Sequence, residues 1–223
     1  VRRTYFFDLD NTLHDAGHAI FGAIDARMTA FVAAELQVDA GQADHLRRLY
    51  WRRYGATLLG LVRHHGVDPA RFLRAAHDFD VPGLLRAEPG LAHFFARLPG
   101  RKVLVTNAPA HYAQRVLHGL GLDRHLTRRY AIETMRLHGR FRPKPSPSQL
   151  RMMLARERVP AARAVLIEDS AANLKAARAV GLRTVLITGH SAGGSAGRIR
   201  RRPPYVDARL LSVRDLLRHP LAG

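Results

Sequence analysis

The sequence contains no cysteine, which excludes disulfides and thiolate metal sites from the start. It also has no apolar run approaching the roughly 18 residues that a membrane span requires. The opening stretch VRRTYFFDLDNT is not expected to serve as a signal peptide, because Asp8 and Asp10 interrupt its apolar segment. The expected location is therefore cytoplasmic. Lysine is scarce: Lys102, Lys144 and Lys175 are the only ones among 36 basic residues. The formal charge is nevertheless +18, carried almost wholly by arginine. A charge of that size raises nucleic acid as a partner. The arginines, however, are dispersed over helical segments (Arg27, Arg47, Arg48, Arg97, Arg115, Arg151) and are not grouped with aromatics. One dense run occurs, at 198–202. This pattern argues against a dedicated nucleic-acid role and for a positive field that attracts small phosphorylated molecules.

What is present suffices for a full core. With 223 residues and 47% apolar content, the chain can form one domain carrying a sizeable insertion. Residues 4–9 are apolar and aromatic and end in acids, as a buried strand does. From 16 to 87 the apolar positions follow helical spacing, with breaks at Gly55, Gly66 and Asp68-Pro69. Beyond Pro89 the texture alternates: helix 91–98, strand 102–106, helix 112–120, a short apolar segment at 130–133, helix 146–157, strand 164–168, helix 171–180 and strand 183–187. Buried apolar strands alternating with helices predict a parallel α/β sheet covered on both faces. The helical block 16–87 is then an insertion between 1–15 and 88–223. Residues 189–197, rich in Gly and Ser, are expected to form a mobile loop.

Parallel sheets bind ligands at the carboxyl ends of their strands. Reading the strand ends gives Asp8, Asp10 and Thr12 after the first, and Thr106 and Asn107 after the second. Glu168 and Asp169 follow a third, and Lys144 lies between Pro143 and Pro145. Four carboxylates gathered at one edge repel one another unless a cation neutralises them. Hard oxygen donors with no sulfur or imidazole nearby favour magnesium. A carboxylate is a competent nucleophile toward phosphorus. A lysine and a cation together would stabilise the charge of a phosphoryl group in transfer.

In order and spacing, Asp8-Leu9-Asp10-Asn11-Thr12, Thr106-Asn107, Lys144 and Glu168-Asp169 resemble the four motifs of the haloacid dehalogenase superfamily. The resemblance implies a three-layer α/β/α Rossmann-like parallel-sheet core with an inserted helical cap of the first type (C1). It implies a magnesium-dependent phosphomonoester hydrolase working through an aspartyl-phosphate intermediate. In that scheme Asp8 is the nucleophile and a metal ligand, and Asp10 is the general acid/base, its backbone carbonyl also touching the metal. Thr106, Asn107 and Lys144 bind the phosphoryl group, with Lys144 offsetting the charge of Asp8. Asp169 is the acidic metal ligand; Thr12, Glu168 and Asn173 support the site from nearby. An acid at position 10 argues against dehalogenation, since the dehalogenase branch lacks that proton donor. The wider motifs, FDLDNTLH, VTNAP, RPKP and EDSAANL, look like those of the pyrimidine 5′-nucleotidase branch, which implies a pyrimidine nucleoside monophosphate as substrate.

Two rival readings remain. One is the same machinery acting on a phosphosugar or another small organic phosphate. The other is a nucleic-acid-binding protein on a disused hydrolase scaffold, against which the intact Asp8, Asp10, Lys144 and Asp169 stand. His14 with His18, and His64 with His65, are the obvious imidazole pairs, but neither has an evident third ligand. His14 is also a candidate substrate contact. Trp51 and Tyr54 are candidates for stacking on a base, with helix packing the plainer alternative. The oligomeric state is not legible.

Overall fold

The computed structural model of the chain describes residues 3–190 and 202–222. Most of the expected loop at 189–197 and of the arginine run at 198–202 therefore lies outside the described residues. The described residues up to His18, together with those from Leu85 onward, form one compact unit, and Ala19–Leu84 form a second.

In the first unit, the strand β1 (Thr4–Phe7) is buried along its whole length and paired on both sides. Its neighbours are β2 (Arg101–Val105) and β6 (Ala164–Glu168), both parallel to it. A strand enclosed this way needs an unbroken apolar run, which YFF, VLV and AVLI supply. Among the described residues the sheet has six parallel strands, in the order β3 (Arg128–Tyr130), β2, β1, β6, β7 (Arg183–Ile187) and β8 (Ala208–Leu210). A separate two-stranded ribbon pairs β4 (Arg136–Leu137) with β5 (Arg140–Phe141).

The pleat of β1 places helices on both faces of the sheet, because consecutive side chains point to opposite sides. Phe6 packs into a buried cluster with Leu150 and Met153 of α8 (Pro147–Glu157) and Leu174 and Ala177 of α9 (Ala171–Val180). Phe7 turns the other way, its ring centroid 4.8 Å from Phe95 and 6.4 Å from Phe94 of α6 (Leu91–Arg97). The core thus has the expected three layers. Strands β2 and β3 lie on one side of β1 and β6, β7 and β8 on the other. The chain reverses its direction of travel across the sheet between β1 and β6, the topological switch point where such sheets bind ligands.

Local signals set the helix ends near the site. The Ser146 side chain caps α8 by accepting from the Gln149 N–H, and Pro147 occupies the first turn, where no N–H is needed. Helix α9 stops at Gly181, whose φ of 95° suits glycine.

The second unit contains α1 (Ile20–Leu36), α2 (Ala40–Tyr54), α3 (Thr57–His65), α4 (Pro69–Ala76) and the single turn α5 (Val81–Leu84). Asp39 and Asp68 cap α2 and α4 by accepting from backbone N–H groups. Phe31 and Phe72 meet edge to face at 5.4 Å, joining α1 to α4. Gly60 lets α3 approach α2, since a Cβ at that position would overlap the Tyr50 ring. The unit is narrower than the 16–87 read from the sequence. Residues 14–18 and 85–87 pair with one another within the first unit: His14 bridges to Ala87, and the Asp15 N–H donates to the Arg86 carbonyl at 3.0 Å.

Candidate active site

Asp8 follows the last residue of β1 and continues its ladder, its N–H donating to the Ile167 carbonyl of β6 at 3.0 Å. The nucleophile expected from the sequence is thus fixed by backbone at the switch point, and it is buried. The chain then turns sharply. Leu13 donates to the Leu9 carbonyl at 2.8 Å, and Asn11 takes a left-handed φ of 58° with its Oδ1 accepting from the Gly17 N–H at 2.9 Å. Asparagine is among the few non-glycine residues at ease in that conformation. The turn returns the Thr12 hydroxyl to Asp8, where it donates to Oδ2 at 3.3 Å.

Lys144 is buried, and its Nζ lies 2.5 Å from Asp8 Oδ1 and 2.9 Å from Glu168 Oε2. Its backbone is held by Asn107: the Asn107 Nδ2 donates to the Lys144 carbonyl at 3.0 Å, and the Lys144 N–H donates to Asn107 Oδ1 at 2.9 Å. Asn107, expected at the phosphate, has its side-chain amide committed to presenting the lysine. Thr106, directly after β2, is buried; its N–H donates to the Tyr130 carbonyl at 2.9 Å and its hydroxyl accepts from the Ala108 N–H at 3.0 Å.

Glu168 is the last residue of β6, and Asp169 follows it. Glu168 Oε2 also accepts from Asn173 Nδ2 at 2.9 Å, and Oε1 accepts from the Ser170 N–H at 3.2 Å. Asp8, Glu168 and Asp169 each present a carboxylate oxygen within 4.8 Å of the others. Among the described residues, this trio is the one group of three or more Asp, Glu, His or Cys side chains close enough to share an ion. It includes Glu168, expected only as support. Asp10 was expected to reach a metal through its backbone carbonyl, and its carboxylate faces other partners.

Negative charge outweighs positive charge at the site. Burial, then the neighbouring Glu168 and Asp10, push the Asp8 carboxyl up to about 8, against the pull of Lys144. Burial and Asp8 push Asp169 up to about 6. Glu168 is raised too, by burial first and Asp169 next. Burial alone would lower the Lys144 ammonium, but Asp8 and Glu168 together hold it above its ordinary value. One ammonium among several buried carboxylates leaves excess negative charge in a low-dielectric place. A divalent cation with oxygen ligands would relieve that excess, and the all-oxygen donor set fits magnesium.

The Asp10 carboxylate forms a second cluster. Its Oδ1 accepts from the Tyr112 hydroxyl at 2.6 Å and lies 3.0 Å from His14 Nε2. Tyr112, on α7 (Ala110–Gly119), is fully buried, and burial together with Asp10 raises its hydroxyl far above the usual phenol range. Sequence reading had no signal for Tyr112, which lies 102 residues from its partner. His14 was a candidate for touching substrate or pairing with His18 on a metal. It is instead buried against Asp10, and α1 begins only at Ile20, so no helix carries both imidazoles. His64 and His65 bond to Tyr54 and Tyr50, each at 2.6 Å.

The Rossmann-like sheet carries an acidic, ammonium-bearing cluster at its switch point, where such sheets bind ligands. The chain belongs to the haloacid dehalogenase-like hydrolase family, whose model matches residues 2–181. It is 27% identical over 235 residues to a phosphoglycolate phosphatase of Pseudomonas syringae, covering 97% of this chain and 78% of that one. It is 24% identical over 197 residues to Phosphate metabolism protein 8 of Saccharomyces cerevisiae. That match takes in 83% of this chain but 61% of the yeast protein's length. Among solved structures, CbbY of Rhodobacter sphaeroides in complex with phosphate superposes with a TM-score of 0.66 at 21% identity, covering 97% of this chain and 96% of that one.

Proposed function

We propose that this chain hydrolyses small phosphomonoesters with magnesium, through a phosphoryl group carried transiently on Asp8. The observation that supports this reading best is Asp8 itself. It is a buried carboxylate at the end of the central strand, in contact with Lys144 and within 4.8 Å of the Glu168 and Asp169 oxygens. Asp8 attacks phosphorus and Asp10 protonates the departing oxygen; Asp10 then takes a proton from the water that hydrolyses the intermediate. Lys144 and Thr106 hold the phosphoryl oxygens, with Asn107 keeping Lys144 in place. Asp8, Asp169 and the Asp10 carbonyl would hold magnesium, with Glu168 beside them steadied by Asn173. When bound, the ion supplies charge stabilisation to the transferring group. The carboxylate at position 10 favours phosphate over halide release, because halide leaves without a proton.

For substrate, we favour a pyrimidine nucleoside 5′-monophosphate, on the likeness of the four motifs. Trp51 is 63% exposed on the helical unit, so its ring is accessible for stacking on a base. The helical unit is assigned the role of a cap that selects the leaving group. The Pseudomonas relative, named for phosphoglycolate, supports the alternative of a small organic phosphate.

The test is a panel of UMP, CMP, purine monophosphates, sugar phosphates and phosphoglycolate, each with magnesium and with a chelator. Magnesium-dependent release of phosphate, fastest from UMP or CMP, is expected. Faster turnover of a sugar phosphate or phosphoglycolate would overturn the nucleotide assignment. No release from any ester would overturn the phosphatase reading.

A further inference from the structure

We propose that Tyr112 and His14 are positioning residues that hold the Asp10 carboxylate in one fixed rotation. The proposal rests on the phosphatase reading above and assigns residues that reading leaves without a role. Tyr112 Oη lies 2.6 Å and His14 Nε2 3.0 Å from the same oxygen, Asp10 Oδ1.

Both contacts are donations to Oδ1. The Tyr112 hydroxyl donates outright. His14 Nδ1 is buried with no hydrogen-bond partner among the described residues, so a proton there would be stranded. The ring therefore carries its proton on Nε2, facing Asp10. An oxygen held by two donors cannot swing away without losing both bonds. The two donors also fix the rotation of the carboxylate, and both are rigid. Tyr112 and His14 are each fully buried, and the His14 backbone is bridged to Asp10 on one side and Ala87 on the other.

In the proposed reaction the Asp8 oxygen bonds to phosphorus as the phosphorus–ester bond breaks, and the leaving oxygen takes the Asp10 proton. In the second half, water attacks the aspartyl phosphate, its proton returns to Asp10, and orthophosphate leaves with Asp8 restored. Both proton transfers use one carboxylate. An acid fixed in rotation avoids a search through wrong orientations at each step.

A purely structural role for Tyr112 and His14 would affect all substrates alike, whereas an orienting role depends on the leaving group. The experiment compares kcat/KM, which reports phosphoryl transfer to Asp8 and not the later hydrolysis, for an alkyl phosphate, whose alkoxide must be protonated, and for p-nitrophenyl phosphate, whose phenolate leaves unaided. It uses the full chain with magnesium, as wild type, Tyr112→Phe, His14→Gln and His14→Leu, with thermal melting recorded for each. Tyr112→Phe is expected to cost about tenfold more on the alkyl ester than on the aryl ester, a share of the general-acid contribution. His14→Leu is expected to show the same bias, and His14→Gln, whose amide can still donate, to recover most of it. Equal losses on both esters in Tyr112→Phe would overturn the positioning roles while leaving the phosphatase reading intact. Absence of wild-type turnover on both esters would overturn that reading, and the proposal with it.

Discussion

Asn107 and Lys144, 37 residues apart in sequence, are joined by a reciprocal pair of hydrogen bonds between the Asn107 amide and the Lys144 backbone. The lysine that neutralises Asp8 sits in a loop between two prolines, and this clamp ties the loop to the end of β2. Asn107→Ala removes both bonds, each worth about 1 kcal/mol in net stability. A modest fall in melting temperature is expected, with a loss of roughly tenfold or more in kcat as Lys144 loses its fixed placement. Steady-state kinetics beside thermal melting checks this. A variant that melts lower but turns over normally would show that the clamp serves only the fold.

Asp8→Asn should abolish phosphate release, because an amide does not displace the ester oxygen. The same change should stabilise the metal-free protein above neutral pH. Folding raises the Asp8 carboxyl to about 8, so its ionised form is disfavoured in the folded state, and a neutral isostere removes that penalty. Melting curves at pH 8.5 in a chelator, set beside phosphate-release assays with magnesium, test both halves. A lower melting temperature for Asp8→Asn under those conditions would contradict the charge balance described for the site.

The pH dependence follows from the same two carboxyls. Asp169 rises from 3.8 to about 6 and Asp8 from 3.8 to about 8 on folding, so the folded protein binds these protons more tightly than the unfolded chain does. Their contribution to stability is full below about pH 4 and is lost as pH climbs through 6 and then 8. Magnesium needs the ionised forms, so its stabilising effect runs the opposite way, growing over the same interval. The rise in melting temperature on adding magnesium should therefore be small at pH 5 and largest near pH 8. A magnesium effect independent of pH would mean that the ion binds elsewhere.

The strands that carry the site were legible because they are enclosed. YFF, VLV, AVLI and VLI lie in strands paired on both sides and are buried, so these stretches are apolar, and such runs stand out in a sequence. Strand β3, Arg128–Tyr130, gave no such signal. Among the described residues it pairs with β2 alone, and Arg128 and Tyr130 both reach the buried Glu157, with contacts of 2.7 Å each. Strand β8 is three residues long and, among the described residues, pairs only with β7, too short for periodicity to register. Asp8, Lys144 and the Glu168-Asp169 pair were legible through chemistry and motif order. The surroundings of Asp10 were not, because Tyr112 belongs to a helix face where an aromatic reads as ordinary core. The use of Asn107 as a brace for Lys144 was hidden for a similar reason. Spacing does not say which half of a side chain points at a ligand and which at a neighbouring backbone.

The bond from the Asp8 N–H to the Ile167 carbonyl carries a wider consequence. Asp8 and its acidic partners stand at the ends of adjacent strands of one ladder, so their separation follows the interstrand spacing of about 4.8 Å. That spacing belongs to the peptide backbone and is common to every sheet. Substitution can exchange what hangs from the rungs but cannot widen the gap between them. Variants selected for new esters should therefore accumulate their changes in loops and helices, with β1 and β6 left as they are.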